Sequence, residues 1–297
     1  RPNIVLILPD DLGYSDLGCY GGEIRTPRID QLAAGGLRMT QMYNAARCCS
    51  TRAALLTGLY PHQAGVGAMS ADNHKPGYRG FLTDRCVTVP SLLRDAGYQT
   101  YMSGKWHLRG KGNPDCVPTA RGFDEFYGHF RAYASYYRSD LFVRMPAGRS
   151  PREYPEGEFY ATDAITDHAL DFIDQADTQS KPFFLYLAYN APHFPLQAPK
   201  KEIQSCLQQY QQGWDRIREA RFGRMQELGI IQGNATLSQR GHVPRVPERN
   251  ADSPYYDQQI PAWNALTSDR QQDLAKRMAT YAAMVQIMDE NVGRVVD

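Results

Sequence analysis

Two apolar runs, Ile4 to Leu8 in "NIVLILPDD" and Phe183 to Tyr189 in "PFFLYLAYNAPH", are continuous instead of alternating. A strand with one wet face alternates apolar and polar residues. An unbroken run calls for a strand covered on both faces, as in a parallel sheet. Helical patterns lie around these runs. "TPRIDQLAAGGLR" spaces Ile29, Leu32 and Ala33 along one face, and "DAITDHALDFIDQA" is amphipathic. "TVPSLLRDAGYQTYMSGKWHL" reads as a helix stopped at Gly97, then a short strand leading to Lys105 and His107. Strands alternating with helices predict an α/β domain, with a mixed, largely parallel central sheet and helices on both faces.

Residues 198–262 break the pattern with many Gln, Arg and Pro, and read as an irregular insertion with a helix near Glu202 to Leu228. The chain closes on a long helix opened by a capping box, Ser268 to Gln271. Its apolar stripe is Leu274, Met278, Tyr281, Val285, Met288, Val292 and Val295. An alternating pattern calls for a strand next, so this reading expects a domain cut short at its C-terminal side.

A net charge of +1 gives no footprint for nucleic acid or a membrane surface, and no apolar run reaches the roughly 20 residues of a membrane span. Six cysteines in 297 residues are too sparse for a disulfide framework, and no CxxC pair suggests a zinc ribbon.

Several strand and helix ends carry groups able to do chemistry. Asp10 and Asp11 follow the first strand directly. Adjacent carboxylates at a strand's carboxyl end suit a hard cation, Ca2+ or Mg2+; the alternative is that Asp11 caps a turn with Gly13. In "RCCSTRAALLTG", Cys48 and Cys49 stand at the mouth of a helix whose free N–H groups favour anions and thiolates, and Arg52 adds a fork for tetrahedral oxyanions. The same two cysteines read equally as buried structural thiols, and a bridge between adjacent residues would be strained. Lys105 and His107 leave the second strand, where Lys-x-His alone is also an ordinary solvated loop. His193 follows the last apolar run between Pro192 and Pro195, which stiffen its loop. Together these groups match metal-assisted transfer of a charged tetrahedral group, sulfuryl or phosphoryl.

The segments "PNIVLILPDDLGYSDLGCYGG", "CCSTRAALLTG", "GKWHL", "GFDEFYG" and "APHFP", in this order, resemble a type I sulfatase of the alkaline-phosphatase superfamily, arylsulfatases in particular. The resemblance covers the chain as the N-terminal portion of one catalytic domain, residues 1–297. It implies that Cys48 is oxidised to Cα-formylglycine by a maturation enzyme. The hydrated aldehyde would attack sulfur, and its second hydroxyl would help expel sulfate. It also implies Asp10 and Asp11 as Ca2+ ligands alongside the converted Cys48, Arg52 steadying the formylglycine, and His107 at its hydroxyl. Lys105 and His193 would hold the sulfate oxygens, with His193 a proton donor to the leaving oxygen. The implied substrate is a sulfated small molecule or glycan, and the implied location periplasmic or secreted, in a bacterium. The alternatives are a phosphomonoester or phosphonate hydrolase of the same superfamily, and a non-catalytic binder of sulfated glycans.

Two departures accompany the resemblance. Ser50 stands where the motif usually has Pro or Ala, and the family's later Asp-Asn metal pair and downstream lysine have no match. Asp289-Glu290-Asn291 falls inside the final helix. The expectation is that the chain as given binds metal poorly and is inactive or unstable. Tyr133, Tyr136 and Tyr137 are either a stacking surface for a ring or ordinary core and surface aromatics.

Overall fold

The computed structural model describes residues 1–111, 113–242 and 258–297. Residues 243–257 of the expected insertion therefore lie outside the described residues. Strands β1 (Ile4–Ile7), β2 (Gln99–Lys105), β3 (Glu125–His129), β4 (Val143–Met145) and β5 (Phe183–Ala188) form one sheet in the order β1-β5-β2-β3-β4. The pairs β1–β5, β5–β2 and β2–β3 are parallel, and β4 joins β3 antiparallel. The predicted largely parallel sheet is thus observed. The carboxyl ends of β1, β5, β2 and β3 lie along one edge of the sheet, where ligands of open α/β sheets collect.

Eight helices are described: α1 (Pro27–Gly35), α2 (Cys48–Thr57), α3 (Pro61–Ala64), α4 (Val89–Asp95), α5 (Ala161–Thr178), α6 (Lys200–Tyr210), α7 (Trp214–Glu227) and α8 (Ser268–Val296). Two compact units emerge from the contacts. One comprises residues 1–12, 39–197 and 287–297, and holds the sheet; the other comprises 13–38 and 198–286.

In the sheet unit, Ala53 and Leu56 of α2 bury against Met102, Trp106, Phe126, Phe184 and Tyr186. Against α5, Tyr101 of β2 stacks on Phe172 at 5.2 Å, and Ser103 of β2 donates to the Ile165 carbonyl. Burial of this many large apolar side chains supplies the main driving force, at ~25 cal/mol per Å² of apolar surface. Where β2, β3 and β5 end, glycine is required. A Cβ on Gly104 would lie 1.9 Å from the Ala188 carbonyl oxygen, and one on Gly128 would lie 1.8 Å from that of Gly104. These close approaches bring the strand ends, and the residues beyond them, together.

The second unit corrects the expectation of an irregular insertion with one helix near Glu202 to Leu228. Its described residues hold two helices in that range, α6 and α7, broken at Gly213, while residues 229–242 are irregular as expected. Gly213 has φ 84, and the Trp263 ring lies where a side chain would stand, 2.2 Å from an added Cβ. Within this unit Arg221 pairs with Asp16 and Glu23, and Tyr281 donates to Asp16 at 2.7 Å.

Two smaller corrections concern the long elements. The run Ile4 to Leu8 predicts a strand covered on both faces, yet β1 is the sheet's edge strand and only half-buried, with Val5 39% exposed. Among the described residues only β5 pairs with it. The cap of α8 is Thr267, whose hydroxyl accepts from the Arg270 N–H while its carbonyl takes the Gln271 N–H; Ser268 is already inside the helix. Its buried stripe is broadened by alanines, Ala275, Ala279, Ala282 and Ala283, while Leu274, Met278, Tyr281 and Val295 are half-buried.

Candidate active site at the strand carboxyl ends

The sheet unit brings Asp10, Arg52, Lys105, His107, Cys48 and His193 to one edge of the sheet. Asp10 follows β1, and its N–H donates to the Ala191 carbonyl at 3.0 Å, fixing it beside the loop after β5. Its carboxylate is 4% exposed and lies between two cations. The Lys105 ammonium, fully buried, donates to Oδ2, and Arg52 Nη2 stands 3.5 Å from Oδ1. Buried charges survive only when paired, so the three groups depend on one another.

Arg52 is held from three sides. Besides Asp10, its Nη1 donates to the Lys105 carbonyl at 2.7 Å and to the Tyr186 hydroxyl at 3.3 Å. Burial opposes its charge, but Tyr186, Asp10 and Cys48 outweigh that and raise its pKa. Its Nε and Nη2 nevertheless lack a hydrogen-bond acceptor. Both ring nitrogens of His107, which is 3% exposed, and the amide oxygen and nitrogen of Asn190 are likewise without hydrogen-bond partners. Such a cluster of buried, unmatched donors is the mark of a polar ligand's place.

The backbone is strained at the same spot. Asp11, Ala46 and His107 adopt left-handed conformations, with φ 63, 61 and 55. A non-glycine residue pays for that conformation, and here it aims site side chains.

Cys48 opens α2, whose N-cap Arg47 supplies no side-chain cap, so the first N–H groups of the helix have none from that residue. The Cys48 thiol is held well below its ordinary pKa, first by its hydrogen bond with Cys49. His107 and the Lys105 charge then act in the same direction, against burial. The partner thiol, Cys49, is correspondingly pushed up. All six cysteines are free. Ser50 is buried, and its hydroxyl donates to the Val66 carbonyl at 3.0 Å, which accounts for a polar residue inside this turn.

The loop after β5 carries His193, whose Nδ1 is bonded to the Phe194 carbonyl oxygen; that contact assigns the proton to Nδ1. Nε2 then faces Asp11 Oδ2 at 3.4 Å. The loop is fastened from beneath by Tyr136, whose hydroxyl lies 2.8 Å from the Asn190 carbonyl and 2.9 Å from that of His193. Tyr136 is core, whereas Tyr133 and Tyr137 are exposed, and the Tyr133 ring meets Phe194 at 6.4 Å. Asn291 lies away from this constellation, donating to Asp163 at 2.7 Å and to the Ile287 carbonyl.

One residue of the site is not marked by any sequence motif. His129 ends β3 in register with Lys105, is fully buried, and leaves both ring nitrogens unbonded. Burial first, then the charges of Lys105, Arg52 and His107, push its pKa down to about 3, so it is neutral at physiological pH.

The donor types fit a hard divalent cation. Asp10 and Asp11 offer carboxylate oxygens, those of Asp10 being engaged by Lys105 and Arg52 here. Ca2+ takes six to eight oxygens, and two carboxylates begin such a shell without filling it. Orphaned polar atoms beside a buried cationic pair are groups of the kind that tetrahedral oxyanions use.

Comparison with known proteins narrows that class. A family model described as Sulfatase matches residues 2–297. An uncharacterized sulfatase of Schizosaccharomyces pombe is 35% identical over 317 residues, covering 100% of this chain and 54% of that protein. An arylsulfatase of Klebsiella aerogenes is 34% identical, covering 100% of this chain and 62% of its own length. The crystal structure of Ps i-CgsB in complex with k-i-k-neocarrahexaose has 28% identity and a TM-score of 0.64, covering 100% of this chain and 54% of that one. The chain belongs to the sulfatase family. It spans 54% and 62% of the length of these two curated relatives.

Proposed function

We propose that the protein hydrolyses sulfate esters, with Cys48 converted to Cα-formylglycine as the nucleophile. The observation that carries this reading is the buried Arg52–Asp10–Lys105 group beside the Cys48 end of α2, with unmatched donors on Arg52 and His107. Sulfatase relatives at 34–35% identity support the reaction class.

Each residue then has a task set by its surroundings. Arg52, immobilised by the Lys105 carbonyl and Tyr186 and with Nη2 facing Asp10, has Nε left for the group at position 48. Lys105 is ready to move from Asp10 to a sulfate oxygen, since a flexible ammonium can exchange one oxyanion for another. His107 is within reach of the side chain at position 48 and orients it. His193, with Nδ1–H committed to the Phe194 carbonyl, presents Nε2, which carries the proton for the leaving oxygen when the ring is in its imidazolium form. Asp10 and Asp11 would hold a divalent cation, Ca2+ before Mg2+, and a bound cation supplies Lewis-acid polarisation of the oxygens. Neutral His129 closes the floor of the site without adding charge.

The substrate we favour is a sulfated carbohydrate. Two exposed aromatic rings, Tyr133 and Phe194, meet beside His193 and offer the flat apolar surface on which sugar rings stack. Ps i-CgsB, crystallised with a neocarrahexaose, supports that choice. The proposal includes a periplasmic or secreted location and a dedicated maturation enzyme; no helix among the described residues is long and apolar enough to cross a membrane.

The test is turnover of a phenyl sulfate against a phenyl phosphate by the full protein from its own host. Preference for sulfate, lost when Cys48 is replaced by Ser or Ala, is expected. Preference for phosphate, or turnover that survives Cys48→Ala, would overturn the reading.

A further inference from the structure

The adjacent thiols offer a second chemistry that sulfate ester hydrolysis does not use. Cys48 Sγ, Cys49 Sγ and a ring nitrogen of His107 all lie within 4.8 Å of one another, and Cys49 and His107 are buried. Cys49 Sγ also contacts the thioether of Met69, Sδ, at 3.5 Å. His107 has no other hydrogen-bond partner for either nitrogen, so its buried imidazole is committed to nothing but this cluster. Two thiols, an imidazole and a thioether are a soft donor set. Thiolate and thioether select Cu+, and thiolate with imidazole also suits Zn2+. On a tetrahedral ion with metal–sulfur bonds of about 2.3 Å, two sulfurs sit roughly 3.8 Å apart. The two sulfurs therefore need to close by about 1 Å at most.

We propose that the unconverted chain binds one soft closed-shell cation, Cu+ foremost, through Cys48, Cys49 and His107, with Met69 as a weaker fourth donor. The site is distinct in kind from the hard oxygen pair Asp10 and Asp11. It exists only while Cys48 is a thiol, because an aldehyde at that position removes one sulfur. Binding displaces the thiol protons to solvent, and no redox change occurs at the ion or the sulfurs. A cation held here covers Cys48, so metal loading and conversion of Cys48 exclude each other. The binding claim does not depend on sulfate ester hydrolysis, which is measured separately on the converted protein.

The experiment is anaerobic titration of the full, reduced, unconverted protein with Cu+ against a chromophoric Cu+ chelator, with X-ray absorption on the wild-type complex. One Cu+ per chain is expected, with at least two sulfurs and one imidazole nitrogen in its shell. Cys49→Ser should abolish competition with the chelator. His107→Gln should weaken binding by at least the roughly 10–100-fold that loss of a supporting group costs at metal sites, and Met69→Leu by less. Failure to compete with the chelator would overturn the proposal. So would a shell with a single sulfur, or stoichiometric binding unchanged by Cys49→Ser. The absorption measurement uses wild-type protein, so misfolding of a variant cannot mask the answer.

Discussion

The groups at the strand ends divide into an inner and an outer set, and the two are built differently. Asp10, Arg52, Lys105, His107 and His129 are each at most 4% exposed, and Asp10, Arg52 and Lys105 are locked by one another and by the Lys105 carbonyl. The side chains of Asp11 and His193 are 63% and 19% exposed, and face each other across 3.4 Å. The inner set pairs its own charges and still leaves buried polar atoms without partners. The outer set keeps an imidazole nitrogen, His193 Nε2, where a leaving group can reach it. Electrostatic stabilisation needs rigid, dry dipoles, whereas proton exchange needs contact with solvent.

The comparison breaks first at Arg52. Arg52→Ala strands Asp10 with a single partner, and losing one member of a buried pair costs about 3–5 kcal/mol. Thermal unfolding should show a large drop in Tm together with loss of turnover. His193→Ala should do the opposite, lowering turnover of an aryl sulfate by about 10²–10⁴ with Tm almost unchanged. If His193→Ala unfolds the protein, or Arg52→Ala melts like wild type, the division is wrong.

His129 sharpens the inner side through pH. Its pKa falls from 6.5 to about 3 on folding, so between those values the unfolded chain binds a proton that the folded chain refuses. Stability is unaffected by this group above pH 6.5. It is lost as pH falls from 6.5 toward 3, at up to about 1.4 kcal/mol per pH unit. His129→Gln removes that contribution. Its Tm should fall less steeply than wild type between pH 6.5 and 4, and parallel curves would contradict the burial of a neutral imidazole. The smallest effect concerns the mount of α2. Ser50→Ala gives up one buried hydrogen bond to the Val66 carbonyl and should cost about 1 kcal/mol by denaturant unfolding.

Much of this arrangement is legible in the sequence because chemistry follows apolar runs. Asp10, Lys105 and His193 each stand within a few residues of a strand's end, and the runs before them are long enough to name as strands. His129 was not legible for the converse reason. The β3 segment "EFYGH" has no apolar run, and it joins the sheet because Gly104 and Gly128 allow backbones to touch. The three-residue β4 is hidden in the same way. The break between α6 and α7 depends on Trp263, fifty residues beyond Gly213, so no local pattern reveals it. Nor does spacing say that Arg52 would bond the Lys105 carbonyl, a contact between residues 53 apart.

The central claim is that position 48 carries an aldehyde in the working protein. Its most direct test is the mass of the tryptic peptide Cys48 to Arg52, from protein made in its own host. The account predicts a peptide in which one cysteine has exchanged its sulfur and two hydrogens for a single oxygen, with Cys49 intact and the change mapped to position 48. Two unmodified cysteines in protein that still turns over a phenyl sulfate would contradict it.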